Sequence, residues 1–412
     1  MTDSGPDIEE DIKAGDDRGE SPSLMEPLLL RDDCRQRGLL TDLAFEVAQK
    51  SSAFCNSLPP SLLSSLAALV RSMNCYYSNL IEGHDTHPID IERALKDDYN
   101  ADVKKRNLQL EAKAHIAVQK WIDEGGVKGR TITWNAIREI HRRFYEEVPV
   151  ELRWVDDPRT KKRLRIVPGE IRQDDVQVGQ HVGISPGAVP RFLKRFEDVF
   201  NRLGKVESVL AAAAAHHRLV WIHPFLDGNG RVVRLLSHAT LLETLETGAV
   251  WSVARGFARN VGAYKTHLAN CDMPRRNDLD GRGTLSEEAL AEFTEYFLRT
   301  CLDQVAFMES LMQPERLRTR IRLWAEEEGQ LGTLPAKSGM ILEALLYRGE
   351  LKRGEVGDIL GVGERQGRRV IAALSERGVI QSETTHAPIR LAFPASLASR
   401  WMPGLFPEKP DS

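Results

Sequence analysis

Apolar residues along most of this chain recur every three or four positions, the spacing that puts them on one face of a helix. Leu43, Phe45 and Val47 begin such a stretch after residue 41, residues 62–70 continue it, and Pro59-Pro60 separates the two. A helix over 71–82 is closed by Gly83, the residue type suited to a left-handed helix end. Residues 108–122 run to a stop at Gly125-Gly126, and 133–147 predict the next helix. After Pro149 the period shortens: 152–166, 169–172 and 176–179 predict short strands with turns. Helices return over 189–203, 206–221 (with five consecutive alanines that permit close packing), 232–245, 250–268 and 286–308.

Residues 314–331 predict a charged helix ending in a Gly-Thr-Leu-Pro break. Beyond it the turn Gly361-Val362-Gly363 leads into a helix over 364–377, and 378–380 with 389–392 predict a two-stranded wing around His386-Ala387-Pro388. These elements resemble a winged helix-turn-helix domain with Arg365, Arg368 and Arg369 on its second helix, so DNA is one partner to expect and protein contact is the other. The Gly361-x-Gly363 pair lacks the glycine spacing of a dinucleotide site.

The chemistry concentrates in His223-Pro224-Phe225-Leu226-Asp227-Gly228-Asn229-Gly230-Arg231-Val232-Val233-Arg234. Gly228 and Gly230 permit backbone angles that a Cβ forbids, and a helix starting there presents unpaired N–H groups to an anion. Arg231 and Arg234 are three apart and share a helix face, with guanidinium forks suited to phosphate oxygens. Asp227 offers a hard oxygen ligand of the kind Mg²⁺ takes, and His223 titrates near neutrality and can accept a proton from a hydroxyl. These are the parts of an enzyme that moves a phosphate-linked group.

The stretch resembles the Fic-domain signature, His-Pro-Phe-x-Asp-Gly-Asn-Gly-Arg-x-x-Arg, at every fixed position. Ser78-Asn79-Leu80-Ile81-Glu82-Gly83 in turn resembles the inhibitory helix of Fic proteins, Ser/Thr-x-x-x-Glu-Gly/Asn, placed upstream of the catalytic domain. The resemblance implies a mainly α fold: a Fic-type helical bundle with a small β-hairpin flap, plus the C-terminal winged helix-turn-helix domain. It implies transfer of AMP from ATP to Ser, Thr or Tyr hydroxyls of a protein that docks on the flap. His223 would be the base, Asp227 the Mg²⁺ ligand, and Gly228, Asn229 and Gly230 the anion cradle. Arg231 would meet the β phosphate and Arg234 the γ phosphate. Glu82 would pair bidentately with Arg234 and hold the enzyme off, with Ser78 on the same helix face. Phe225 should point into the core and fix the loop. Two other readings stay open: a DNA-binding regulator with a nucleotide-responsive Fic domain, and removal of AMP from a modified protein.

Composition narrows the setting. A net charge of −4 gives no field that draws the whole chain onto nucleic acid or membrane. Five scattered cysteines with no C-x-x-C pair fit reduced thiols. The acidic N-terminus shows no signal peptide and no apolar run reaches membrane length, so a cytoplasmic protein with no membrane partner is expected. A homo-oligomer is compatible with all of this. His216 and His217 lack zinc-ligand spacing, and Arg276 stands where a calcium loop before Glu287 would need its first ligand. The expected organisation is a disordered acidic tail over 1–35, a helical region with the inhibitory helix over 36–130, a Fic core over 131–312, a helical linker over 313–334 and the winged-helix-like unit over 335–400.

Overall fold

The computed structural model describes residues 16–84, 86–157, 161–179 and 181–406. Helices dominate. The first five are α1 (Arg37–Asn56), α2 (Pro60–Ile81), α3 (Pro88–Leu95), α4 (Val103–Asp123) and α5 (Trp134–Glu147). Two short antiparallel hairpins follow, β1 (Trp154–Asp156) with β2 (Arg163–Arg165) and β3 (Gln177–Val178) with β4 (His181–Val182). The bundle continues through α6 (Val189–Phe200), α7 (Lys205–Ile222), α8 (Asn229–Leu245), α9 (Ala254–Arg259), α10 (Val261–Cys271) and α11 (Glu287–Met312). The C-terminal unit comprises α12 (Pro314–Gln330), α13 (Ser338–Arg348), β5 (Glu350–Leu351), α14 (Glu355–Leu360), α15 (Glu364–Glu376), β6 (Ile380–Gln381) and β7 (Ile389–Leu391).

The centre of the bundle is the antiparallel pair α7 and α8. The alanines at 211–215 are all buried, and their small side chains let α8 approach closely, as the sequence pattern predicts. Apolar residues surround α8 on every side, the mark of a helix at the middle of a core. In α5, Thr133 caps the first turn by accepting from the Ala136 amide, and Ile137, Ile140 and Phe144 face the core. The bundle thereby holds the α7–α8 connection, where the signature lies, against the C-terminal ends of α2 and α5 and the interior of α4.

Several expectations are revised. The stretches expected over 62–70 and 71–82 form one helix, Pro60–Ile81, capped by Glu82, because nothing between Pro60 and Gly83 breaks the pattern. The helix expected over 250–268 is two: at Asn260 the backbone leaves the helix (φ −142°, ψ 70°) and its side chain caps α10 through the Ala263 amide. Residues 169–172 are no strand, since Gly169 takes φ +79° and its amide donates to His141 Nδ1 at 2.8 Å. The tail expected to be disordered over 1–35 is structured from residue 16 onward; residues 1–15 lie outside the described residues. Met25, Leu28 and Leu30 are buried in the core, and the acidic residues find fixed partners: Asp17 and Glu20 meet Arg191, and Glu26 meets Arg195. The helix at 314–330 buries Leu317, Ile321 and Trp324 against the C-terminal unit and is part of its core. There the two strands expected over 378–380 and 389–392 are joined by a third, in the order β5-β7-β6.

Candidate active site

Helix α7 ends at His223, whose backbone turns left-handed (φ 50°, ψ 62°) and so redirects the chain into the signature loop. His223 Nδ1 lies 3.3 Å from the Val220 carbonyl. A carbonyl can only accept, so Nδ1 carries the proton and Nε2 keeps its lone pair. Burial pushes the imidazole down to about 4, with the Arg172 charge adding to the effect, and the ring is neutral at pH 7.

The loop is anchored from beneath. Phe225 is fully buried and stacks on His141 (centroids 3.8 Å apart, planes 6° apart), with Trp134 beyond it. Asn229 closes the loop on itself: its side chain donates to the Phe225 carbonyl at 2.8 Å and accepts from the Phe225 amide at 3.0 Å. The Asn229 side chain is thus a clamp, which leaves only its backbone for the anion cradle expected from the sequence. Gly228 (φ +79°) caps α8, and a Cβ there would come within 2.9 Å of the Tyr145 ring. Tyr145 donates to Asp227 Oδ2 at 2.6 Å. Burial opposes ionisation of Asp227, but Arg231 and the Tyr145 hydroxyl outweigh it, and the carboxyl is held below its usual range.

Both arginines are buried and engaged. Arg231 Nη2 donates to Glu111 Oε2 at 3.1 Å, its guanidinium lies over the Phe144 ring, and Asp227 is 3.8 Å away. Glu111 also lies 3.4 Å from His84 Nδ1 and raises that imidazole's pKa. Arg234 donates through Nε to Ser78 Oγ at 2.9 Å and through Nη2 to Glu82 Oε1 at 2.5 Å. The pairing is single-pronged, one guanidinium nitrogen to one carboxylate oxygen, while Ser78 accepts at Oγ from Nε and at its carbonyl from the same Nη2. Glu82 reaches it from the end of α2, which closes on Gly83 (φ +83°): the Gly83 amide donates to Leu80 O and the His84 amide to Asn79 O. Its side chain is 34% exposed against 4% for Arg234. Burial alone would raise the Glu82 pKa, and Arg234 lowers it overall. Gly230 makes the room, since a Cβ there would stand 2.4 Å from Glu82 Oε1.

These groups border one cavity of about 680 Å³, walled by Glu82, Glu111, His223 and the 226–231 loop on one side and by both hairpins on the other. Every site residue expected from the sequence lies on this cavity or directly behind it. Glu111, Tyr145 and Arg172 were not anticipated. Tyr145 shared the helical core pattern of α5, while Glu111 carried no signal beyond a lone charge on an amphipathic helix. His216 and His217 point apart, to Ser237 and Tyr264 and to Asp272, and among the described residues no His, Cys, Asp and Glu cluster has metal-binding geometry.

Residues 131–241 match the Fic/DOC family. Over 169 residues the chain is 34% identical to the protein adenylyltransferase Fic of Drosophila willistoni, covering 40% of this chain and 31% of that one. The corresponding protein of Drosophila erecta is 33% identical over the same length and shares. The chain thus spans 31% of the length of these curated relatives. The crystal structure of a Fic family protein from Desulfovibrio desulfuricans G20 aligns with a TM-score of 0.51 over 86% of this chain and 95% of that one, at 17% identity, and so shares the fold. With the signature loop, its helix and the cavity they border all inside the matched residues or against them, this chain carries a Fic domain of the Fic/DOC family.

Proposed function

We propose that this Fic domain transfers AMP from ATP to a Ser, Thr or Tyr hydroxyl of a protein, and that Glu82 restrains the reaction. The observation that carries the reading is the convergence, on one cavity, of a neutral imidazole with Nε2 free, the Asp227 carboxylate, and the N-terminus of α8 with Arg231. In this reading His223 Nε2 takes the hydroxyl proton as the oxygen bonds to the α phosphorus, and the bond to the pyrophosphate breaks. The first turn of α8 supplies N–H groups and the positive dipole end to the phosphates. The half-exposed Asp227 carboxylate suits Mg²⁺, which needs only one or two carboxylates alongside phosphate oxygens and water. When bound, that ion would offset phosphate charge.

Arg231 and Arg234 would receive the outer phosphates. Since Glu82 holds Arg234, a triphosphate reaches its productive pose only by displacing that carboxylate. The exposed Val178 and Val182 on the second hairpin offer an edge where an extended segment of the acceptor protein can pair. The test is label transfer from α-labelled ATP with Mg²⁺ to wild type, Glu82→Gly, and Glu82→Gly with His223→Ala. Label confined to Glu82→Gly is expected. Equal label in the variant lacking His223 would refute the assigned base, and no label in Glu82→Gly would refute AMP transfer.

A second reading is favoured by one feature of the C-terminal unit. Arg365, Arg368 and Arg369 are exposed along α15, a row able to meet duplex phosphates, which gives a role as a DNA-binding regulator its physical basis.

A further inference from the structure

Arg172 lies between the second hairpin and the catalytic loop, and its side chain is withdrawn from solvent. Its guanidinium spends three donors on three carbonyls from three places in the chain. Nε reaches His223 O at 2.8 Å, Nη1 reaches Asp174 O at 3.1 Å and Nη2 reaches Ile184 O at 2.6 Å. Its own amide donates to Pro224 O at 3.0 Å. Among the described residues it forms no ion pair, and the nearby Asp175 pairs instead with Arg18. Burial lowers its pKa to about 10, which leaves it charged.

The identity of the carbonyls is informative. Asp174 and Ile184 are the two feet of the β3–β4 hairpin, and His223 is the residue whose backbone is left-handed. A non-glycine residue holds such angles only where its surroundings over-determine them. At His223 the determinants are the amide bond to Leu219 O and the two bonds from Arg172 to the His223 and Pro224 carbonyls. Gly183 fits tightly here, since a Cβ there would come 2.9 Å from Val176 Cγ2 and 3.2 Å from Arg172 Nη2. A planar fork reaches three acceptors in fixed directions, whereas an ammonium is one point on a flexible stem.

We propose that Arg172 is a positioning residue that locks the imidazole of His223 and the acceptor-binding hairpin into one register. The proposal rests on the transfer reading above. The hydroxyl delivered along the hairpin must meet Nε2 within a fraction of an ångström, and misplacement by about 1 Å costs on the order of 100-fold in rate. Arg172 touches neither nucleotide nor acceptor in this arrangement; it acts through the backbones that carry the base and the flap.

The experiment uses the full chain carrying Glu82→Gly, with and without Arg172→Lys, in single-turnover automodification over a range of ATP concentrations. The maximal rate should fall about tenfold or more in Arg172→Lys, with the half-saturating ATP concentration within about twofold. An unchanged maximal rate would overturn the proposal, as would equal losses in rate and ATP affinity, which a generally damaged fold produces. Amide hydrogen exchange in 174–184 and 223–228 provides a readout independent of activity. Both segments should exchange faster in Arg172→Lys than in its parent, and unchanged exchange would overturn the brace. A parent that takes no label would remove the transfer reading while the exchange result still decides on the brace. If Arg172→Lys does not fold, Arg172→Gln, which keeps a planar amide fork, takes its place in both measurements.

Discussion

Two helices of this chain begin alike and end up in opposite situations. Helix α8 starts within Gly228-Asn229-Gly230 and carries Arg231 and Arg234; helix α15 follows Gly361-Val362-Gly363 and carries Arg365 and Arg368 at the same spacing of three. In α8 every guanidinium is buried and answered by another element: Glu111 from α4, Ser78 and Glu82 from α2, the Phe144 ring from α5. In α15 Arg368 pairs with Glu364 of its own helix, both largely exposed, and Arg365 and Arg369 stand in solvent. Local sequence therefore prepares an anion-binding helix start, and tertiary context decides whether it becomes an enclosed site. On the transfer reading proposed above, the carboxylates that converge on α8 are what a phosphate-bearing ligand would displace or share. In α15 the carboxylate that meets Arg368 is the exposed Glu364 of the same helix, a pair that solvent screens.

The comparison breaks most directly at the residue beneath each turn. Phe225→Ala should cost roughly 3–5 kcal/mol of unfolding free energy, because it empties a stacked, fully buried position. Val362→Ala, at a half-buried turn, should cost about 1 kcal/mol or less. Denaturant unfolding measures both, and equal losses would deny the α8 loop its special anchoring.

A smaller effect separates the arginines. Arg231→Ala takes from the largely buried Glu111 carboxylate its guanidinium partner and uncovers the Phe144 ring, a loss of roughly 1.5–3 kcal/mol. Arg368→Ala removes an exposed pair within one helix and should leave the unfolding midpoint unchanged within error. Comparable midpoint shifts would mean that burial does not distinguish the two sets.

Burial also sets the pH response of the α8 site. Protonation removes the base, and His223 sits near 4 in the folded chain, so automodification by Glu82→Gly should stay level from pH 8 down to about 5.5. Below about pH 4 the rate should drop roughly tenfold per pH unit. A fall centred near 6.5, the ordinary histidine value, would place the imidazole in open solvent or give the base role to another group.

Much of this was legible in the chain, for a physical reason. The signature loop works through local geometry, so His223, Asp227, Gly228 and the two arginines are read off at fixed spacing. Glu82 was legible through the resemblance of residues 78–83 to the inhibitory helix of Fic proteins, with Gly83 marking only where that helix ends. Glu111 and Arg172 were not, since each acts across a tertiary gap and a single charge in an amphipathic stretch does not reveal what it will face. Residues 16–35 misled because average composition hides position: three apolar residues at 25, 28 and 30 suffice to dock a segment several of whose charges, Asp17, Glu20 and Glu26 among them, meet arginines of α6. Asn260 divided a continuous apolar pattern by capping, which periodicity alone does not register.

The smallest effect concerns α15 alone. Replacing Arg365 and Arg369 together by alanine removes two exposed cations while Val370, Ile371 and Leu374 keep the helix docked, so the melting temperature should not move. If the row meets phosphates, the consequence appears only with a polyanion present. Each phosphate neutralised contributes about −0.9 to the slope of log affinity against log salt, so the double variant should reduce the slope for a duplex from the protein's own upstream region by about 2. A mobility-shift titration over salt reads this directly. An unchanged slope, or no shift by the parent at low salt, would leave the α15 arginines as a solvated face. The contrast with α8 would then be between an enclosed pair of arginines and an ordinary surface.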